Sequence, residues 1–213
     1  LVMASGTTLT VPAGMTIKAD PSGSDVYIAI AQGAKIIANG TADSPIIFTS
    51  GASNPQAGDW GGLILLGKAP SNAVTGTATA TSEIGGLPYG GNVSNDDSGS
   101  LRYVRIEYAG KRIRGDQNYS GLLLASVGNE TTIKNVMVSH SAGNSFEIVG
   151  GGGNSSERGI GSSGSSSISR SRSNSSSIRS GISISTSCRI SNISHAITIR
   201  IHFLIHLYNN FHH

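Results

Sequence analysis

Short apolar runs separated by turn-forming residues follow one another along most of the chain. Residues 26–50 contain three of them, at 26–30, 35–38 and 46–48, divided by Gly33 and by the turn residues 39–45. β-Branched residues dominate each run, and none is long enough for a stable helix. The pattern therefore predicts strands of three to five residues. Further strands are predicted within 61–67, 101–110, 121–128, 131–140 and 146–151.

A repeated spacing suggests how these strands are arranged. Ile28, Ile46 and Ile64 are 18 residues apart, as are Val104 and Leu122. A loose period near 18 to 25 residues, broken by Gly, Asn and Asp, is typical of a coil that stacks on itself. We therefore predict an all-β solenoid of short parallel strands.

The stretch GDWGGLILLGKAP, residues 58–70, places four apolar residues in succession between glycines. Strands buried on both faces read as continuous apolar runs, unlike strands with one face in water. We expect two side chains of the Leu63 to Leu66 run to enter the core and two to be covered by a neighbouring loop. The glycines would form corners, and residues 67–100 would form a long loop excursion from one of them.

Several blocks in order carry a family resemblance. They are GTTLTVPAGMTIKAD, GAKIIANGTADSPIIFTS, GDWGGLILLGKAPSN, YGGNVSNDDSGSLRYVRIEYAG and LLLASVGNETTIKNVMVSHSAGNSFEIVGG. Together, over about residues 5–153, they resemble a family of secreted right-handed parallel β-helix proteins common in Bacteroidota. The resemblance implies that fold and an extracellular or cell-surface location, but no set of catalytic residues. Where the family carries two aspartates before Phe-Glu, this chain has residues 142–145, AGNS, before Phe146 and Glu147.

The composition changes sharply after Gly153. Residues 154–213 contain 19 Ser and 11 Ile, and the resemblance stops at the same point. We divide the chain into a β-helix region, 1–153, and a Ser/Ile/Arg-rich continuation, 154–213. Alternation of Ile with polar residues favours further coils in the continuation, whereas a frameshifted or wrongly assigned tail would also explain its composition.

Charge and composition narrow the functional classes. Only 13% of the residues are charged, against about 25% in an ordinary soluble domain, and a Ser/Thr/Gly/Asn-rich chain of this kind suits a secreted or cell-surface protein. The net charge of +3 divides into −2 for residues 1–153 and +5 for the remainder. The basic part has few aromatic residues among its arginines, so we do not expect nucleic-acid binding. The sole cysteine, Cys188, excludes an internal disulfide framework, and no apolar stretch is long enough for a membrane span.

Two groups of residues are candidates for binding. Arg102, Arg105 and Glu107 alternate along one predicted strand, so they would share a face able to contact an acidic glycan, with Trp60 as an aromatic contact. Ordinary cross-strand ion pairing is the alternative. Separately, hard oxygen ligands indicate a candidate calcium site, but the sequence favours a solvated turn as the explanation of SNDDSG. Its ligands would be Asp96, Asp97 and Asp116. No other cofactor is expected.

Catalytic motifs are weak. His140 is a conceivable general base with Glu107 or Glu147, but a structural histidine at a strand end is the alternative. His202 and His206 lack the intervening glutamate of a zinc protease. The sequence contains neither a GxSxG elbow nor a phosphate-binding glycine loop.

These observations favour a non-catalytic extracellular or cell-surface structural or adhesion protein that contacts a polysaccharide or a cell-surface glycan. A carbohydrate-active β-helix enzyme, of lyase or hydrolase type, is the first alternative. A subunit of an extracellular filament, associating through its open solenoid ends, is the second.

Overall fold

The computed structural model describes residues 1–71, 79–82, 85–115 and 117–151, together with the backbone of 160–163 and 168–170. Every regular element in these ranges is a β-strand, so the predicted all-β class is confirmed. No helix with the length and apolar character of a membrane span occurs in this described part of the chain.

The strands are short, because turn-forming residues interrupt the apolar runs every few positions. In chain order they are β1 (Val2–Met3), β2 (Thr8–Val11), β3 (Thr16–Ala19), β4 (Ile28–Ile30), β5 (Lys35–Asn39), β6 (Ile46–Ser50), β7 (Leu63–Leu66), β8 (Thr79–Thr81), β9 (Pro88–Gly90), β10 (Gly99–Glu107), β11 (Arg112–Arg114), β12 (Gln117–Asn118), β13 (Leu122–Ala125), β14 (Thr132–Ser139), β15 (Phe146–Val149), β16 (Ile160–Ser163) and β17 (Ile168–Arg170).

The chain passes repeatedly through two sheets of parallel strands. The first sheet has the order β1-β4-β7-β13-β15-β17. The second has the order β16-β14-β10-β5-β2, and β3 and β6 extend it beside β10. Two antiparallel hairpins, β8–β9 and β11–β12, lie outside these sheets. β7 and β13, which have parallel neighbours on both sides, are buried along their whole length.

The long strand β10 runs beside two shorter strands, β5 and β6, from an earlier passage of the chain through the same sheet. Its first half pairs with β5, matching Arg102 to Asn39, and its second half pairs with β6, matching Val104 to Ile46. Between the two halves lies Tyr103, whose φ of 49° is in the left-handed region. The same bend recurs in β14 at Asn135, with φ 53°. One left-handed residue per turn thus replaces the whole loop between β5 and β6.

A single apolar core fills the space between the sheets. Its largest fully buried side chains include Trp60, Phe48, Phe146, Ile30 and Ile36. Alternate residues of β5 and β6 point into this core, which accounts for the alternating burial along both strands.

The run Leu63 to Leu66 is buried on both faces, as predicted. Leu63 and Leu65 belong to the main core. Ile64 and Leu66 belong to a second apolar cluster, against which side chains of the two hairpins pack. Those side chains are Leu87, Tyr89 and Ile113, and Tyr119 is a buried member of the cluster itself. Loops therefore cover the outer face of the first sheet, and burial raises the pKa of Tyr119 to about 12.

The predicted loose period of 18 to 25 residues is observed only in part, and the 18-residue intervals do not mark equivalent positions. Ile28 pairs with Leu63, and Ile46 pairs with Val104 in the other sheet, so Ile28 and Ile46 are not equivalent positions. Paired residues lie 24 positions apart for Leu122 and Phe146, but 63 apart for Ile36 and Gly99. The spacing varies because the turns carry insertions of different length.

The predicted long excursion is present between the end of β7 and the start of β10, and it contains the β8–β9 hairpin. A second insertion, containing the β11–β12 hairpin between β10 and β13, was not predicted. The insertion follows β10, and no pattern in the sequence indicated an insertion after that strand.

Ser126 is strained at a position where neighbouring turns carry glycine. Its φ is 50°, it is fully buried, and its Oγ has no hydrogen-bond partner. Gly67 and Gly150 follow the residues that pair with Ala125, so they occupy the equivalent place. We expect Ser126→Gly to raise the free energy of unfolding by about 1 kcal/mol, because it relieves the strain and removes the unpaired hydroxyl.

Chemical denaturation of wild type, Ser126→Gly and Ser126→Ala tests this expectation. The alanine variant removes the hydroxyl but keeps a β-carbon in the left-handed region, so its gain should be smaller. A glycine variant less stable than wild type would contradict the interpretation.

Candidate functional site

The bend shared by β10 and β14 carries an outward cluster of cationic and aromatic side chains. Arg102 and Arg105 are exposed on either side of the bend, and Tyr103 between them is 38% exposed. Lys134 on β14 is partly exposed and pairs in register with Arg102. We call Arg102, Tyr103, Arg105 and Lys134 the bend cluster.

The exposure of both arginines depends on the bend. The two residues are three positions apart, and strict alternation along a strand would place them on opposite faces. Tyr103 adopts a left-handed conformation, so the alternation restarts at Val104, which is buried, as is Ile106. The predicted outward placement of Arg102 and Arg105 is therefore observed, but on the two sides of a bend instead of along one flat face.

The cations of the bend cluster have no acidic partner among the described residues. Arg102, Arg105 and Lys134 form neither an ion pair nor a side-chain hydrogen bond with any other described residue. The ion pair present in the described ranges joins Lys35 Nζ to Asp97 Oδ2 at 2.6 Å. The predicted alternative, cross-strand ion pairing of the arginines, is thus not what this part of the structure shows.

Glu107 lies at the end of β10 and is only partly exposed. Its Oε2 accepts a hydrogen bond of 3.3 Å from Thr49 Oγ1 on β6. Glu107 follows Arg105 by two positions on β10 and, in the described part of the chain, forms no ion pair with it. The carboxylate therefore contributes a negative charge at the edge of the bend cluster.

Trp60 is a core residue. It is 1% exposed, and its Nε1 donates a hydrogen bond of 2.8 Å to the backbone oxygen of Glu107. Burial of the indole leaves no ring face for a surface ligand, which corrects the expectation that Trp60 contacts a glycan. The exposed aromatic residue near the arginines is Tyr103 instead.

Sequence reasoning missed Tyr103 and Lys134. The available signal was the spacing of three between Arg102 and Arg105, which is incompatible with plain alternation and indicates an extra residue. Lys134 offered no signal of its own, since it meets Arg102 only through the register of β10 and β14.

The aspartates of the predicted calcium site have protein partners. Asp97 accepts from Lys35 and, through Oδ1, from the backbone N–H of Gly99 at 2.8 Å. The hydrogen bond and charge of Asp97 raise the pKa of Lys35. Asp96 is 8% exposed, and its Oδ2 accepts from Ser98 Oγ at 3.0 Å.

Asp116 lies outside the described residues, so the calcium site stays a prediction. Within the residues that are described, no three His, Cys, Asp or Glu side chains are grouped so as to hold a metal ion.

His140 lies one residue beyond β14, and its ring stacks on that of Tyr108, with centroids 4.9 Å apart and planes 21° apart. Its two suggested partners have other contacts: Glu107 accepts from Thr49, and Glu147 accepts from Ser120 Oγ at 2.6 Å. The structure thus gives His140 a stacking role between equivalent corners. The histidines from His195 onward lie outside the described residues.

Comparison with known proteins gives one match. The family model described as a pectate-lyase like β-helix domain matches residues 1–162. No curated protein matches the chain, and no solved structure matches it either.

Proposed function

The chain belongs to the family of pectate-lyase-like β-helix domains, and from this we propose that it is a non-catalytic extracellular or cell-surface protein that contacts a glycan through the bend cluster. Membership of that family suggests a carbohydrate-related or surface function. The family and the two parallel sheets also support a right-handed solenoid, as the resemblance implied. The observation that carries the binding proposal is the exposure of unpaired cations beside an exposed tyrosine.

The chemistry of the bend cluster suits a glycan. Guanidinium and ammonium groups donate hydrogen bonds to hydroxyl and anionic oxygens, and a guanidinium keeps its charge at any physiological pH. The ring of Tyr103 offers an apolar face with a polar tip, a combination enriched at binding surfaces.

The contacts of the titratable residues near the bend cluster favour glycan binding over glycan cleavage. General acid-base chemistry needs a titratable group within hydrogen-bond reach of the reacting atoms. Glu107 accepts from Thr49, and His140 stacks on Tyr108. These contacts favour positioning roles over proton transfer.

The first experiment measures binding of the whole chain to a panel of neutral and anionic polysaccharides, at low and at high salt. We expect binding of anionic glycans that weakens as salt screens the charges. Replacing either Arg102 or Arg105 by glutamine should weaken it about tenfold, the amount expected for a charge-assisted hydrogen bond.

Arg114→Gln is the matched control. Arg114 is an exposed arginine on β11, away from the bend cluster, and its replacement changes the net charge equally. Equal losses in all three variants would show that only overall charge matters and would sink the proposal.

A carbohydrate-active enzyme is the second candidate, because Arg105 and Glu107 lie on the same half of β10 and a lyase needs a base beside an anionic substrate. Incubation with each bound polysaccharide, followed by analysis of chain length and of unsaturated products, separates the two candidates. Turnover that disappears in Arg105→Gln would replace the binding proposal with the enzymatic one.

A further inference from the structure

Two cations lie directly opposite each other at the bend. Arg102 and Lys134 are partners in register on neighbouring parallel strands, which lie about 4.8 Å apart. Like charges at opposing positions destabilise a sheet. The other neighbour of Arg102 is Asn39, which is uncharged, so β5 offers no compensation.

A second unfavourable feature occurs at the same place. Tyr103 and Asn135, which follow Arg102 and Lys134, both have left-handed backbones, with φ of 49° and 53°. This conformation is costly for a tyrosine, whereas an asparagine tolerates it. The repulsion between Arg102 and Lys134 therefore lies next to a strained residue, Tyr103.

From this coincidence we infer that the Arg102–Lys134 pair binds a sulfate group of a sulfated glycan, with the sugar ring against Tyr103. The inference rests on the proposed function and names its ligand. Because Arg102 and Lys134 have no acidic partner among the described residues, the ligand must supply the anion. The carboxylate of Glu107 is already an acceptor for Thr49 Oγ1.

A sulfate ester matches this pair better than a carboxylate does. It presents three acceptor oxygens on a tetrahedral centre, so one group can accept from the guanidinium fork and from the ammonium at the same time. A carboxylate has two oxygens, and a bidentate contact with arginine occupies one lone pair on each of them. Lys134 would then have to share one of the two oxygens with Arg102, whereas a sulfate ester offers it a third oxygen.

The ligand test compares three probes: a sulfated polysaccharide, the same polysaccharide after chemical desulfation, and a polyuronate of matched length. We expect the whole chain to bind the sulfated probe at least tenfold more tightly than either of the others. Lys134→Gln and Arg102→Gln should each reduce that binding about tenfold, whereas Arg114→Gln should change it little.

Thermal unfolding without ligand supplies an independent readout. At low salt, Lys134→Gln should raise the midpoint by about 1 to 3 °C, because it removes the repulsion. The gain should vanish at high salt, and the double variant Arg102→Gln/Lys134→Gln should gain no more than either single variant. A merely structural lysine would instead lower the midpoint when replaced.

The outcomes separate this inference from the proposed function. A polyuronate bound as tightly as the sulfated probe overturns the choice of sulfate and leaves glycan binding standing. Failure of every glycan to bind overturns both. A lower midpoint in Lys134→Gln, with binding of the sulfated probe unchanged, overturns the role of the pair.

Discussion

Replacing Gly99 by alanine is expected to destabilise the protein by about 4 kcal/mol or to prevent its folding. Gly99 begins β10 with φ 108°, a conformation that residues with a β-carbon rarely adopt. A methyl group there would also overlap the backbone oxygen, nitrogen and carbonyl carbon of Ile36. Because Ile36 is the register partner of Gly99, neither strand can move without breaking the β5–β10 pairing.

Gly6→Ala is the matched control for this prediction. Gly6 also has a positive φ, 81°, but an added methyl group would meet no atom within 4 Å. Gly6→Ala should lower the free energy of unfolding by about 1 to 2 kcal/mol, because it only places a residue with a β-carbon in the left-handed region. Denaturant titration followed by circular dichroism measures both variants, and equal costs would show that the approach of β5 to β10 does not matter.

Trp60→Ala is expected to cost about 3 to 5 kcal/mol. The substitution empties the site of the largest fully buried side chain. It also leaves the backbone oxygen of Glu107 without the indole donor, which adds the penalty of an unpaired buried acceptor.

Trp60→Phe separates the two contributions, since it keeps an aromatic ring and loses the donor. We expect about half the cost of the alanine variant or less. Glycan binding by Trp60→Phe should equal that of wild type, because the indole is buried beneath β10. Unfolding should be followed by circular dichroism, because both variants remove the one tryptophan of the chain and with it the tryptophan fluorescence signal. A cost below about 1 kcal/mol for Trp60→Ala would contradict the core assignment.

Strand positions were predictable because they depend on local chemistry. The predicted runs at 35–38 and 46–48 lie within β5 and β6, and the run from Leu63 to Leu66 coincides with β7. β-Branched residues between turn formers favour strands wherever the chain places them. Burial of Leu63 to Leu66 on both faces was also predictable, because an unbroken apolar run is typical of a strand that is covered on both faces.

Register was not predictable from spacing. Insertions of unequal length separate the turns, so the equal intervals between Ile28, Ile46 and Ile64 do not correspond to pairing. Pairing is decided by how the buried side chains of each turn fit those of the next, which involves residues far apart in sequence.

The candidate site also combines features that the sequence predicts with features that only the tertiary structure decides. The sequence determined an all-β chain of short strands, the excursion after β7 and the presence of Arg102 and Arg105 on β10, because each depends on nearby residues. Only the tertiary structure decided that Trp60 is buried, that a left-handed Tyr103 turns both arginines outward, and that Lys134 faces Arg102. These features arise from parallel pairing between successive turns, and pairing brings together positions that no local pattern connects.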